Sequence, residues 1–152
     1  MDNYQKYSSY IVRSVDHIFK NFLNDSSLQE VYEAQSSQTD PKISVEIEGT
    51  LYGEIIFNIP VRTLNKITKR ILPSANPRSL KKHHVDIAGE LANLITGTFA
   101  NQLQFLKHNI RLSAPDFNDD QIALKTFYQN INLSFRSGFG GFDVDLYYKE
   151  KK

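Results

Sequence analysis

The chain has 152 residues and a mass of 17.5 kDa, with 40% hydrophobic and 23% charged residues, the composition of one globular domain spanning 1–152 and not of a disordered chain. Lys plus Arg is 18 and Asp plus Glu 17, so a formal charge of +1 gives no global field that calls for nucleic acid or an anionic membrane. Cysteine is absent, which removes disulfides, zinc ribbons, thiol catalysis and iron–sulfur clusters; with a polar Met1 to Tyr7 and no run of about 20 apolar residues, a cytoplasmic domain is expected.

Tyr4 to Leu23 reads as an amphipathic helix, because Tyr7, Ile11, Val15, Ile18, Phe19 and Phe22 recur at steps of three and four. A short strand is expected over Val31 to Gln35 and a loop from Ser36 to Pro41. Ile43, Val45 and Ile47 then alternate, Glu48 to Leu51 offers a turn, and Gly53 to Ile59 supplies the returning strand of a hairpin. Val61, Leu64, Ile67 and Ile71 mark a short helix closed by Pro73. The longest helix starts near Ser79 and runs to about Leu106. Ile110, Leu112 and Ala114 alternate up to Pro115, and an acidic loop follows from Asp116 to Asp120. Strands are expected at Ile122 to Tyr128, around Ile131 to Phe135 and around Phe142 to Tyr148, the last two joined by a turn over Ser137 to Gly141. Both halves run from a helix into locally paired strands. The expected fold is therefore α/β of the α+β type: a largely antiparallel sheet with long helices packed on it, and a two-half plan.

The long helix carries the chemistry. With Asp86 set at zero on a helical wheel, Glu90 falls near +40°, Asn93 near −20° and Gly97 near +20°, one stripe about 60° wide. Ile87, Ala88, Leu91, Leu94, Ile95, Phe99, Leu103 and Leu106 fill the opposite arc. Any surface helix exposes polar residues, but two details point past that. Gly97 costs about 1 kcal/mol against alanine in a helix and removes bulk where a visitor approaches. Asn93 sits mid-helix, where its propensity is poor and packing does not ask for it.

The segment Asp86-Ile87-Ala88-Gly89-Glu90-Leu91-Ala92-Asn93, followed by Gly97, resembles the signature helix of the CheC/CheX/FliY family of chemotaxis phosphatases, and CheX most closely. That family's pattern is an acid or serine, a glutamate four positions on, an asparagine three further, and then a distant proline. Here 21 residues separate Asn93 from Pro115, one fewer than the pattern. Ile43 to Leu72, with Gly49 and Gly53, and the C-terminal run around Gly140-Gly141 are similar to CheX-like members as well. The resemblance covers about residues 40 to 148 and implies the two-half CheC-like fold.

It implies a protein substrate, a CheY-type response regulator carrying phosphoaspartate. An acyl phosphate is already reactive, so placing one water in line with phosphorus removes much of the entropic barrier. A carboxamide both accepts from and donates to water and adds no negative charge, and Asn93 takes that role by resemblance. Glu90 would engage a lysine of the partner, Asp86 would extend the acidic contact, and Gly97 would admit the partner's surface. Catalytic Mg²⁺ would belong to the regulator, leaving this chain without a cofactor. CheX-like relatives pair as homodimers, so a dimer is expected. A non-catalytic adaptor or motor-switch module that docks the regulator without hydrolysing it is the other reading. Members with a duplicated site carry a Glu–Asn pair on two helices, whereas Tyr4 to Leu23 contains no glutamate, so one site is expected.

Rival constellations are thinner. His83 lies near +60° on the wheel, so His83, Asp86 and Glu90 offer a candidate metal group. From Ile55 to Val85 there is no acid, while Arg62, Lys66, Lys69, Arg70, Arg78, Lys81 and Lys82 accumulate. That run reads as a solvated face or as steering for an acidic partner; without interleaved aromatics it does not read as a nucleic-acid site.

Overall fold

The structure is a computed structural model that describes residues 2–117 and 128–150. Its elements in chain order are α1 (Asn3–Asn21), β1 (Gln29–Val31), β2 (Lys42–Gly49), β3 (Leu51–Asn58), α2 (Val61–Ile71), α3 (Pro77–Leu103), β4 (Ile110–Leu112), β5 (Gln129–Ser137) and β6 (Gly140–Glu150), with a 3-10 turn over Gln104–Leu106. The six strands form one sheet in the order β1-β5-β6-β3-β2-β4, and every pairing is antiparallel. Exchanging β1, β2 and β3 for β4, β5 and β6 returns the same order read backwards. The strand order is thus symmetric about the β6–β3 pairing, and the two-half plan itself goes no further than this order.

Two hairpins build the sheet. Thr50 alone separates β2 from β3, with Ile43 opposite Phe57 and Ile47 opposite Gly53. Gly138 and Phe139 separate β5 from β6, with Phe135 opposite Phe142. The hairpins join along β3 and β6, where Phe57 faces Val144. Alternation puts Val45, Ile47, Ile55, Leu133, Phe135, Val144 and Leu146 on the face under the helices, all buried. Phe19 of α1 stacks on Phe142 at 5.1 Å between centroids, and Phe142 stacks in turn on Phe135. Tyr7 meets Tyr148 edge to face.

Helix ends follow local chemistry. Asp2 caps α1 by accepting from the Gln5 N–H at 2.9 Å, and Asn76 caps α3 by accepting from the Ser79 N–H at 2.9 Å. Beyond the 3-10 turn Lys107 turns left-handed, with φ at 61°, and starts the return to the sheet. His108 then bridges the Tyr7 hydroxyl at 2.8 Å and Thr50 Oγ1 at 3.0 Å, tying α1, the exit of α3 and the β2–β3 turn together.

The strand expected at 31–35 lies instead at 29–31. The reason is Asp143: its buried carboxylate accepts from the Gln35 and Ser36 N–H groups, which takes them out of any ladder. Of the strand expected at Ile122 to Tyr128, residues 122–127 lie outside the described residues, and Tyr128 sits immediately before β5.

Candidate functional site

The candidate site is one face of α3. Ala88, Leu91, Ala92, Ile95, Phe99 and Leu103 are buried in the core, and Ile87, Leu94 and Leu106 pack half-buried against it. Helix α3 lies against α1, α2 and β2, so its orientation is fixed by contacts on three sides. What remains outward is the stripe read from the sequence. Asp86, Glu90 and Asn93 are all exposed, and Gly97 is half-exposed. Steps of three and four along a helix place their Cβ atoms about 5–6 Å apart, and Asp86 to Gly97 spans about 16 Å.

None of the three polar side chains is used internally. Among the described residues, no hydrogen bond or ion pair engages Asp86, Glu90 or Asn93. Two carboxylates one turn apart repel each other and gain nothing locally, so the arrangement is built at a small cost to the helix. At Gly97 an added Cβ would meet nothing within 4 Å, leaving the backbone open to close approach. An acidic pair, a neutral amide and a bare stretch of helix thus face outward in one line. Chemically the line can hold a cation with its carboxylates and orient a water with its amide.

A neighbouring wall carries Pro115, the distant proline of the sequence pattern, together with Phe117, which the sequence does not single out. Gly89 is buried, and a Cβ added there would stand 3.7 Å from Phe117 Cζ and 3.8 Å from Pro115 Cβ. Pro115 therefore packs against α3 beside the stripe. The signal available was Gly89 itself, a second glycine in a helix that otherwise has no need of one.

The other candidates resolve differently. Among the described residues no group of three or more His, Asp or Glu side chains is placed to hold a metal ion, so His83, Asp86 and Glu90 do not converge; all three stem from one helix, with no second element closing on them. His84 points elsewhere: its Nε2 is buried without a hydrogen-bond partner, and burial, with Lys81 nearby, lowers its pKa. Arg62, Lys66, Lys69, Arg70, Arg78, Lys81 and Lys82 are all exposed, and Arg70 lies over the Phe139 ring. On α1, Asp16 is paired with Lys20 at 3.0 Å and the Asn21 amide donates to the His17 carbonyl, so no comparable open stripe exists there. No helix among the described residues is long and apolar enough to cross a membrane.

Comparison with known proteins bears on this helix and its setting. The sequence matches the family described as chemotaxis phosphatase CheX over residues 42–127, which takes in β2, β3, α2, α3 and β4. No curated protein matches it. Among solved structures the chain is similar to chemotaxis protein CheX from Vibrio vulnificus, with a TM-score of 0.80 at 15% identity over 98% of this chain and 100% of that one. The CheX–CheY–BeF3–Mg²⁺ complex from Borrelia burgdorferi gives 0.75 at 13% identity, covering 95% and 98%. FliY of Thermotoga maritima gives 0.63 at 12% identity, covering 93% and 86%. At these identities the likeness is one of fold.

Proposed function

The chain belongs to the CheX family of chemotaxis phosphatases, and from that premise we propose that it hydrolyses the phosphoaspartate of a CheY-type response regulator. The observation that carries this reading is the open stripe of α3, in which Asp86, Glu90 and Asn93 face outward together with no internal partner among the described residues. Groups held on a buried, capped helix and spared from local bonding are pre-organised for an external ligand.

Asn93 accepts from and donates to the attacking water and holds it in line with phosphorus. Its neutrality matters, because a carboxylate there would repel the phosphoryl oxygens. Glu90 pairs with a lysine at the partner's phosphorylation site and fixes the register, and Asp86 extends that contact. Gly97 lets the partner's backbone come close. The Mg²⁺ belongs to the regulator's acidic pocket, and this chain contributes water placement and docking.

The test is the decay of phosphoaspartate on candidate regulators with wild-type protein and with Asn93→Ala. Acceleration by the wild type that vanishes in the variant, with binding of the regulator retained, supports hydrolysis. Binding without acceleration by the wild type makes the chain an adaptor, and full activity in Asn93→Ala removes Asn93 from the mechanism.

A further inference from the structure

The wall beside the stripe is fixed in place. The Ser113 N–H donates to the Glu46 carbonyl at 3.0 Å, and the Glu46 N–H donates to Ser113 Oγ at 2.8 Å. The Asp116 and Ser44 backbones then exchange a reciprocal pair of 2.8 Å bonds in an isolated antiparallel bridge. Residues 113–117 thus continue along β2 past the end of β4 and deliver Phe117 against α3 at Gly89. Phe117 nonetheless remains 38% exposed, and Val85, one turn before Gly89, is 52% exposed. Neither belongs to the core nor to the half-buried residues packed on it. On the wheel Gly89 is about 40° from Asn93 and Val85 about 80° from it, on the same side of the stripe.

We infer that Phe117, with Val85 next to it, is the apolar anchor that seats the phosphorylated regulator on the Asn93 side of the stripe and so selects which regulator is accepted. This rests on the functional reading above and adds to it a specificity-determining residue. The occupant follows from distance. A stable protein interface covers about 800 Å² on each partner, a patch on the order of 30 Å across. Gly89 and Asn93 are one helical turn apart, about 6 Å. A regulator that brings its acyl phosphate to Asn93 therefore covers Phe117 too. Affinity points the same way, because a held aromatic side chain supplies binding energy of its own beside the charge pair that Glu90 would make with the partner. The regulator must then present an apolar residue beside its phosphorylation site.

The experiment uses a CheY-type regulator from the same organism, activated with beryllofluoride and Mg²⁺, titrated against wild type, Phe117→Ala and Phe117→Tyr. Phe117→Ala should raise Kd, and KM for the phosphorylated regulator, about ten-fold with kcat within about two-fold; Phe117→Tyr, which keeps the ring, should bind as the wild type does. Equal binding by the alanine variant, or a loss confined to kcat, overturns the inference. Should Phe117→Ala melt early, 4-fluorophenylalanine placed at position 117 in the otherwise native chain decides the matter. Its ¹⁹F resonance should shift on adding the activated regulator; a silent resonance during demonstrated binding, or one that responds only to the chain's own concentration, overturns it. A wild-type chain that binds no regulator overturns the functional reading itself, which separates the two failures.

Discussion

Gly97→Ala separates helix stability from partner access, because the open surroundings of Gly97 favour the added helix propensity while the proposed docking at this face disfavours the added bulk. Gly97 lies inside α3, six residues before its last residue Leu103, and the added methyl group enters open space with nothing within 4 Å. The helix therefore gains the full propensity difference, about 1 kcal/mol, with no steric penalty to offset it. For a domain of this size that corresponds to a rise in Tm of about 2–4 °C. Toward the partner the same methyl group adds about 1.5 Å of bulk on the track shared by Glu90 and Asn93. A misplacement near 1 Å at a reacting centre costs on the order of 100-fold in rate, so kcat/KM for regulator dephosphorylation should fall by one to two orders of magnitude. Calorimetry and phosphoaspartate decay on the same preparation give both numbers. A lowered Tm would refute the open environment of Gly97, and a raised Tm with unchanged catalysis would refute the contact proposed between Gly97 and the partner. Gly53→Ala is the contrast: its Cβ would fall on the Tyr147 carbonyl oxygen of β6, so that variant should be strongly destabilised.

Glu90→Ala should weaken binding of a beryllofluoride-activated regulator about ten-fold and slow dephosphorylation in parallel, since the partner's lysine loses its counter-charge; unchanged binding would reassign Glu90. Combining Glu90→Ala with Asn93→Ala should leave no residual acceleration, and activity surviving in the double variant would reveal a second site. A pH effect comes from Asp145, whose pKa rises to about 6 through burial and then through the charge of Asp143, against a hydrogen bond from Asn58 and the charge of Lys42. The folded chain binds this proton more tightly than the unfolded one, so the contribution of Asp145 to stability is fully present below about pH 4 and is lost as pH rises through about 6. Asp145→Asn keeps the acceptor for Asn58, removes that slope and should stabilise the protein at pH 7 by on the order of 2–3 kcal/mol. Urea melts at pH 4.5 and pH 7 check it, and an unchanged difference between the two pH values would exclude Asp145 as the cause.

The parts that local patterning controls were legible. Alternation at Ile43, Val45 and Ile47 and again at Phe142, Val144 and Leu146 marks strands that bury one face, and a one-residue slip would turn every such side chain to the wrong side. The polar stripe of α3 was legible because a 3.6-residue period fixes which side chains share a face before any tertiary contact forms. What could not be read depends on approach between distant segments. The strand near residue 31 is cut short by Asp143, more than a hundred positions away, and nothing around Tyr32 announces it. Phe117 lies just past a proline in an apparently acidic loop, and only its arrival at Gly89 gives it significance. The central pairing of β3 with β6 likewise has no local signature.

That central pairing governs how the chain reaches its native state. Each hairpin closes over a few residues, but zipping β3 to β6 closes a loop of roughly 90 residues, about five doublings longer, at an added entropic cost near 3 kcal/mol. Topologies of this kind fold slowly, because the non-local cost comes before the contacts that repay it. Helix α3 lies inside that loop, so its apolar side has no complete sheet to rest on until β6 has been made. During synthesis the helix bearing the stripe is therefore an unshielded amphipathic segment, and the interval before β6 emerges is when this protein is most exposed to aggregation and to chaperone capture.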